Sequence, residues 1–164
     1  MKKLLAVAMV LCLLIPCAYA ENIDSFLYAY DLQAKGVTGA VCLSDVNYTI
    51  VTDKQGKKYF RFETEEVIIL IRDDFRSVNC QAREKNSAAF IRCCGALSLA
   101  IAGSDISYTD LFGNLLSQFY FAGTENKDLF SLPAVFGNYI FRISNENDIY
   151  SFTFIISDDP VLRR

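Results

Sequence analysis

The sequence predicts an α+β domain: an antiparallel sheet of about five to six strands with helices packed on one face. Three observations carry this expectation. One apolar run, residues 87–103, has helical length and almost no polar side. Short apolar or alternating segments bounded by turn formers stand on both sides of it. The order helix, four strands, two helices, two strands lacks the regular alternation that builds a parallel sheet.

Residues 21–35 predict a first helix. Glu21 and Asp24 lie in its opening turn, Ile23, Phe26, Leu27 and Tyr30 recur at helical spacing, and Lys35 with Gly36 forms its stop. Residues 36–45 form a connector of small side chains that contains Cys42. Residues 47–52 and 57–63 predict a hairpin about Asp53-Lys54-Gln55-Gly56. In its second arm Lys58, Phe60 and Phe62 face one way and Lys57, Tyr59 and Arg61 the other, with the lysines guarding an edge strand. Residues 67–72 predict an interior strand and residues 76–83 a short fourth one.

The run 88–102 carries one charge, Arg92, and one other strongly polar side chain, Ser98. A solvent-facing helix would show a polar half. This one is expected between the sheet and a second helix, with the small residues Ala88, Gly95 and Ala102 recurring on one side to admit close approach. Ser107 to Asp110 has the form of a capping box with Asp in the fourth place, and Leu111, Phe112, Leu115, Leu116, Phe119 and Tyr120 continue as a helix up to Gly123. Residues 124–136, with Pro133, form the longest irregular stretch. A last hairpin then pairs residues 138–144 with 149–156, with Tyr150, Phe152, Phe154 and Ile156 on one face and Ser151 and Thr153 on the other. Residues 157–164 are expected as a tail.

Residues 1–20 have the layout of a secretory leader: Lys2 and Lys3, an apolar stretch, then Ala18-Tyr19-Ala20 as cleavage signal. Cys17 follows Pro16, where a lipidation box needs a small residue, so cleavage before Glu21 is expected rather than lipidation. The chain is thus expected to be secreted or periplasmic, with residues 21–164 forming one domain and no stable membrane span left after cleavage. Removing Lys2 and Lys3 takes the formal charge from −3 to −5. A mildly acidic surface disfavours nucleic acid, where affinity rests on Lys and Arg neutralising phosphates.

Cys42, Cys80, Cys93 and Cys94 remain after the leader. An even number in an oxidising compartment points to disulfides. Neighbours on a helix diverge by about 100°, so Cys93 and Cys94 are expected to reach separately to Cys42 and Cys80, in either pairing. The alternative is that two or all four stay as buried free thiols, since free cysteine packs as a small hydrophobe.

The chain contains no histidine. That removes the usual proton shuttle, the Ser-His and Cys-His nucleophile pairs and histidine-bound metals. No phosphate-cradling loop, dinucleotide fingerprint or calcium loop occurs, so no cofactor, metal or catalytic residue is assigned. Carboxylates cluster at Glu63, Glu65 and Glu66, at Asp73 and Asp74, and at Asp158 and Asp159. They flank predicted strands, where solvated ends are expected. The expected function is therefore a non-enzymatic exported domain that binds a protein partner, with Tyr59 and residues 124–136 as candidate surfaces. A carrier with an apolar pocket between helices and sheet is the first alternative, and a carboxylate-based hydrolase the second.

Overall fold

A computed structural model describes residues 22–83, 88–103, 106–122, 133–146 and 149–158. The leader, the loop 124–132 and Asp159 lie outside the described residues.

Helix α1, Ile23–Gln33, starts two residues later than expected, because Asn22 is the cap: its side-chain oxygen accepts the Ser25 N–H at 2.9 Å. It does not stop at Gly36. The chain runs on through a π-helical turn, Ala34–Thr38, and ends on Gly39, which takes the left-handed conformation at φ 60°. A short 3₁₀ turn, Leu43–Asp45, leads to four strands: β1 Tyr48–Thr52, β2 Lys58–Glu63, β3 Val67–Arg72 and β4 Ser77–Ala82. Helices α2, Ala88–Ala102, and α3, Tyr108–Ala122, follow, then β5 Ala134–Phe136, β6 Tyr139–Glu146 and β7 Ile149–Ile156.

The strands form one antiparallel sheet of seven, in the order β1-β2-β3-β4-β7-β6-β5. The sheet has more strands than expected because residues 134–136 pair with β6 instead of belonging to the irregular stretch. A second correction concerns β2. It lies between β1 and β3, so the strand with Lys58 is interior and β1 is the edge.

Alternation divides the sheet cleanly. Registers place Tyr48, Phe62, Ile69, Cys80, Phe152 and Ile143 across one face and Ile50, Phe60, Ile71, Val78, Phe154 and Phe141 beside them. Most of these are fully buried under the helices. The opposite face carries Thr49, Arg61, Leu70, Asn79, Thr153 and Arg142 in one row. There Asn79 Nδ2 donates to Ser151 Oγ at 3.2 Å and Thr153 Oγ1 at 3.1 Å.

Helix α2 is buried from Cys93 to Ala100, touching α1, α3 and β4. Its one polar residue there, Ser98, donates to the Cys94 carbonyl at 2.8 Å, so the core holds no orphan hydroxyl at that point. The small-residue stripe is buried at Gly95 and Ala102 but not at Ala88. A Cβ at Gly95 would meet the Phe112 ring of α3, whereas Ala88 is exposed. At the β3–β4 turn Phe75 adopts φ 56°, rare for a bulky residue. Its ring is held between Phe26 of α1, with centroids 5.8 Å apart, and Phe60 of β2, at 6.0 Å. That stack ties α1 to the β1–β2 hairpin.

Candidate functional site

The two edges of the sheet are finished differently. At the far edge β5 covers β6 with three residues, directly after Pro133. Beyond β5 the Ile143 N–H would face outward, but Gln118 Oε1 of α3 accepts it at 2.8 Å. A short strand, a proline and a side-chain cap are the usual means of closing an edge to foreign strands.

Strand β1 has none of these. Its five residues, Tyr-Thr-Ile-Val-Thr, carry no charge and no proline. The β1–β2 turn fixes which backbone groups it exposes. Asp53 N–H donates to the Lys57 carbonyl at 2.9 Å, Gly56 N–H donates to the Asp53 carbonyl at 3.1 Å, and Gly56 is left-handed at φ 82°. This is the pattern of a three-residue hairpin loop closed by a glycine bulge. Antiparallel bonding alternates from there, so Val51 and Thr49 bond to β2 while the N–H and C=O of Tyr48, Ile50 and Thr52 face away from the sheet. No partner for them is present among the described residues. Their side chains extend the core face past the helices: Ile50 is 64% exposed and Tyr48 41%. The Tyr48 ring rests edge-on against Phe60 at 5.4 Å, which fixes it beside the open edge.

The turn that ends this edge is stiff. Asp53 Oδ1 accepts from Gln55 N at 2.7 Å and Lys57 N at 3.0 Å, and the Tyr59 hydroxyl donates to Oδ2 at 3.3 Å. The Lys57 backbone bond leads the effects that hold the Asp53 carboxyl below its ordinary range. Tyr59 is therefore placed on the outer sheet face and occupied in buttressing the turn.

A second surface feature lies on α1. An open groove of about 500 Å³ is lined by Leu27, Tyr28 and Leu32 and by Asp24, Asp31, Lys35 and Ser44. Asp31 is buried and structural: its oxygens accept the N–H groups of Leu43 at 2.7 Å and Ser44 at 3.2 Å, capping the 3₁₀ turn.

The residues singled out by sequence are placed as follows. Glu63 is paired with Arg61 at 2.7 Å and with Arg83, Asp74 with Arg72 at 2.6 Å, and Asp158 with Arg76. Each of these carboxylates thus has a cationic neighbour, while Glu65, Glu66 and Asp73 are exposed. Burial raises the Asp74 carboxyl, but its bonds to Arg72 and the Arg76 backbone outweigh that, and it is held below the ordinary range. Cys42, Cys80, Cys93 and Cys94 are free thiols, the last three buried. Cys80, Cys93 and Cys94 converge with Tyr30 in the core, while Cys42 lies in the partly exposed connector. Among the described residues no cluster of His, Cys, Asp or Glu is disposed to hold a metal, and no helix is long and apolar enough to cross a membrane. Comparison with family models, curated proteins and solved structures finds no match.

Proposed function

We propose that this is a small exported domain that binds an extended segment of a partner protein, adding it as a further strand on β1. The observation that carries the reading is the difference between the edges: the β6 end is closed by β5, Pro133 and Gln118, and β1 is open. Strand addition draws affinity from backbone bonds and selectivity from alternate side chains. Tyr48, Ile50 and Thr52 supply the backbone groups here, and the exposed Tyr48 and Ile50 select apolar side chains at alternate positions of the partner segment. The export half of the proposal rests on the leader features of residues 1–20. A surface site is also favoured over an interior carrier pocket because Phe62, Phe90, Phe141, Phe152 and Phe154 fill the space between sheet and helices.

The test uses Ile50→Pro. Proline removes the outward N–H without breaking a bond to β2, and edge strands tolerate it. The probe is a synthetic peptide of alternating valine and threonine with lysine pairs at its ends. Wild-type protein is expected to bind it, with protection of the Tyr48, Ile50 and Thr52 amides from hydrogen exchange. Ile50→Pro is expected to weaken binding at least tenfold with the melting temperature little changed. Equal binding by Ile50→Pro, or protection confined to other strands, would overturn the proposal.

A further inference from the structure

Strand addition on β1 leaves unused the groove on α1, none of whose lining residues belongs to that strand. Asp24, Leu27, Tyr28, Asp31, Leu32 and Lys35 recur at helical spacing and form one stripe along α1 and the π-helical turn that follows it. Tyr28 and Leu32 stand out from the stripe at 66% and 50% exposure, two large apolar side chains one helical turn apart. Asp31 lies between them along the helix but is turned inward, where it accepts the Leu43 and Ser44 N–H groups. The stripe therefore has two apolar knobs and a recessed middle.

Its ends carry opposite charges. Asp24 and Lys35 are both exposed, and neither has an ion-pair partner among the described residues. Helix rise sets them roughly 16 Å apart, too far to meet within one copy. A stripe that is negative at one end, apolar in the middle and positive at the other is complementary to itself run backwards.

We propose that this face is the interface of a weak homodimer, in which α1 packs antiparallel against α1 of a second copy about a two-fold axis at the level of residue 30. That register makes every contact reciprocal, as an isologous interface requires. Asp24 of each copy meets Lys35 of the other, and Tyr28 of each copy enters the recess beside Leu32 of the other. The apolar contacts supply the affinity. The exposed ion pairs add little to it but fix the orientation, because a parallel arrangement would set like charges together. One helix face buries less surface than a standard interface, so the dimer is reversible, with a dissociation constant on the order of 100 µM.

The experiment is sedimentation velocity on the purified protein, from well below that concentration to severalfold above it. The wild type is expected to pass from monomer to dimer, and Tyr28→Ala to weaken the dimer at least tenfold. Asp24→Lys leaves the stripe with a cation at both ends and Lys35→Asp with an anion at both ends, so each variant alone is expected to associate at least tenfold more weakly. An equimolar mixture of the two is expected to regain wild-type affinity as a heterodimer, because both end contacts are then attractive again. A wild type that stays monomeric across the range, reversal variants that dimerise like the wild type, or a mixture no tighter than its components would overturn the proposal. So would a dimer lost in Ile50→Pro and kept in Tyr28→Ala, which would place the contact on β1. The valine–threonine peptide is expected to bind wild type and Tyr28→Ala alike, so strand addition and dimerisation fail separately.

Discussion

The Tyr30 hydroxyl donates to Cys93 Sγ at 3.4 Å, joining α1 to α2 across 63 positions of the chain. Both groups are buried, and burial disfavours the ionised form of each. Burial is the largest cause pushing the Cys93 thiol up from 9.0 to about 12, and burial followed by Cys93 raises the Tyr30 phenol well above 10.0. The folded state therefore holds protons that the unfolded chain has released, so stability falls as pH rises. In reduced protein the melting temperature should be level below about pH 9 and decline from there towards pH 12. Tyr30→Phe should cost about 0.5–1.5 kcal/mol at neutral pH and flatten the decline. A melting temperature that stays level to pH 11 would contradict the buried, protonated pair.

Asp31 supports the loop that delivers the chain from α1 to β1. Its two oxygens satisfy the Leu43 and Ser44 N–H groups, and the Leu43 side chain is fully buried beneath them. Asp31→Ala should destabilise by about 1–3 kcal/mol, since it leaves buried donors without an acceptor. Asp31→Asn keeps one carbonyl oxygen and should recover about half of the loss. Urea midpoints of the three proteins check the order.

Gly95 is placed where α2 crosses α3. In an open helix, Gly→Ala gains about 1 kcal/mol of propensity. Here the new methyl would displace the Phe112 ring, and overpacking costs about 1–3 kcal/mol. Phe112 is half-buried and its tip can yield in part, so a net loss of about 1 kcal/mol is expected for Gly95→Ala. Repeating the substitution in a Phe112→Ala background should reverse its sign. The thermal midpoints of the four members of that cycle decide whether the ring is the cause.

What was legible in the sequence was what local pattern dictates. The unbroken apolar run of α2, the wholly apolar β3 and the strict alternation of β7 each announce their burial, because every residue repeats the same signal. Strand order is different in kind. Nothing in the local pattern of Lys58–Glu63 says that β1 and β3 flank it, and the lysines suggested an edge. β5 is three residues long, too short for a period, and exists because β6 offers it a partner. The Asp31 cap joins residues 12 apart through a connector with no motif of its own. The thiol cluster was half visible: divergence of Cys93 and Cys94 follows from helix geometry, but the bond from the Tyr30 hydroxyl to Cys93 depends on how α1 lies against α2.

The bond from Ile143 to Gln118 offers a converse test of the edge argument. If Gln118 closes the β6 side by accepting the outward N–H at 2.8 Å, then Gln118→Leu should open it while keeping side-chain bulk on α3. The expected loss is about 1–3 kcal/mol from an unsatisfied, half-buried donor. Exchange of the Ile143 amide should become faster than that of its ladder neighbours Arg142 and Ser144. An opened edge should also begin to recruit strands, so Gln118→Leu should self-associate at concentrations where the wild type does not. Adding Ile143→Pro, which removes the same donor, should suppress that association. If the Ile143 amide is protected equally in wild type and Gln118→Leu, the glutamine is not what closes this edge, and the contrast with β1 loses its basis.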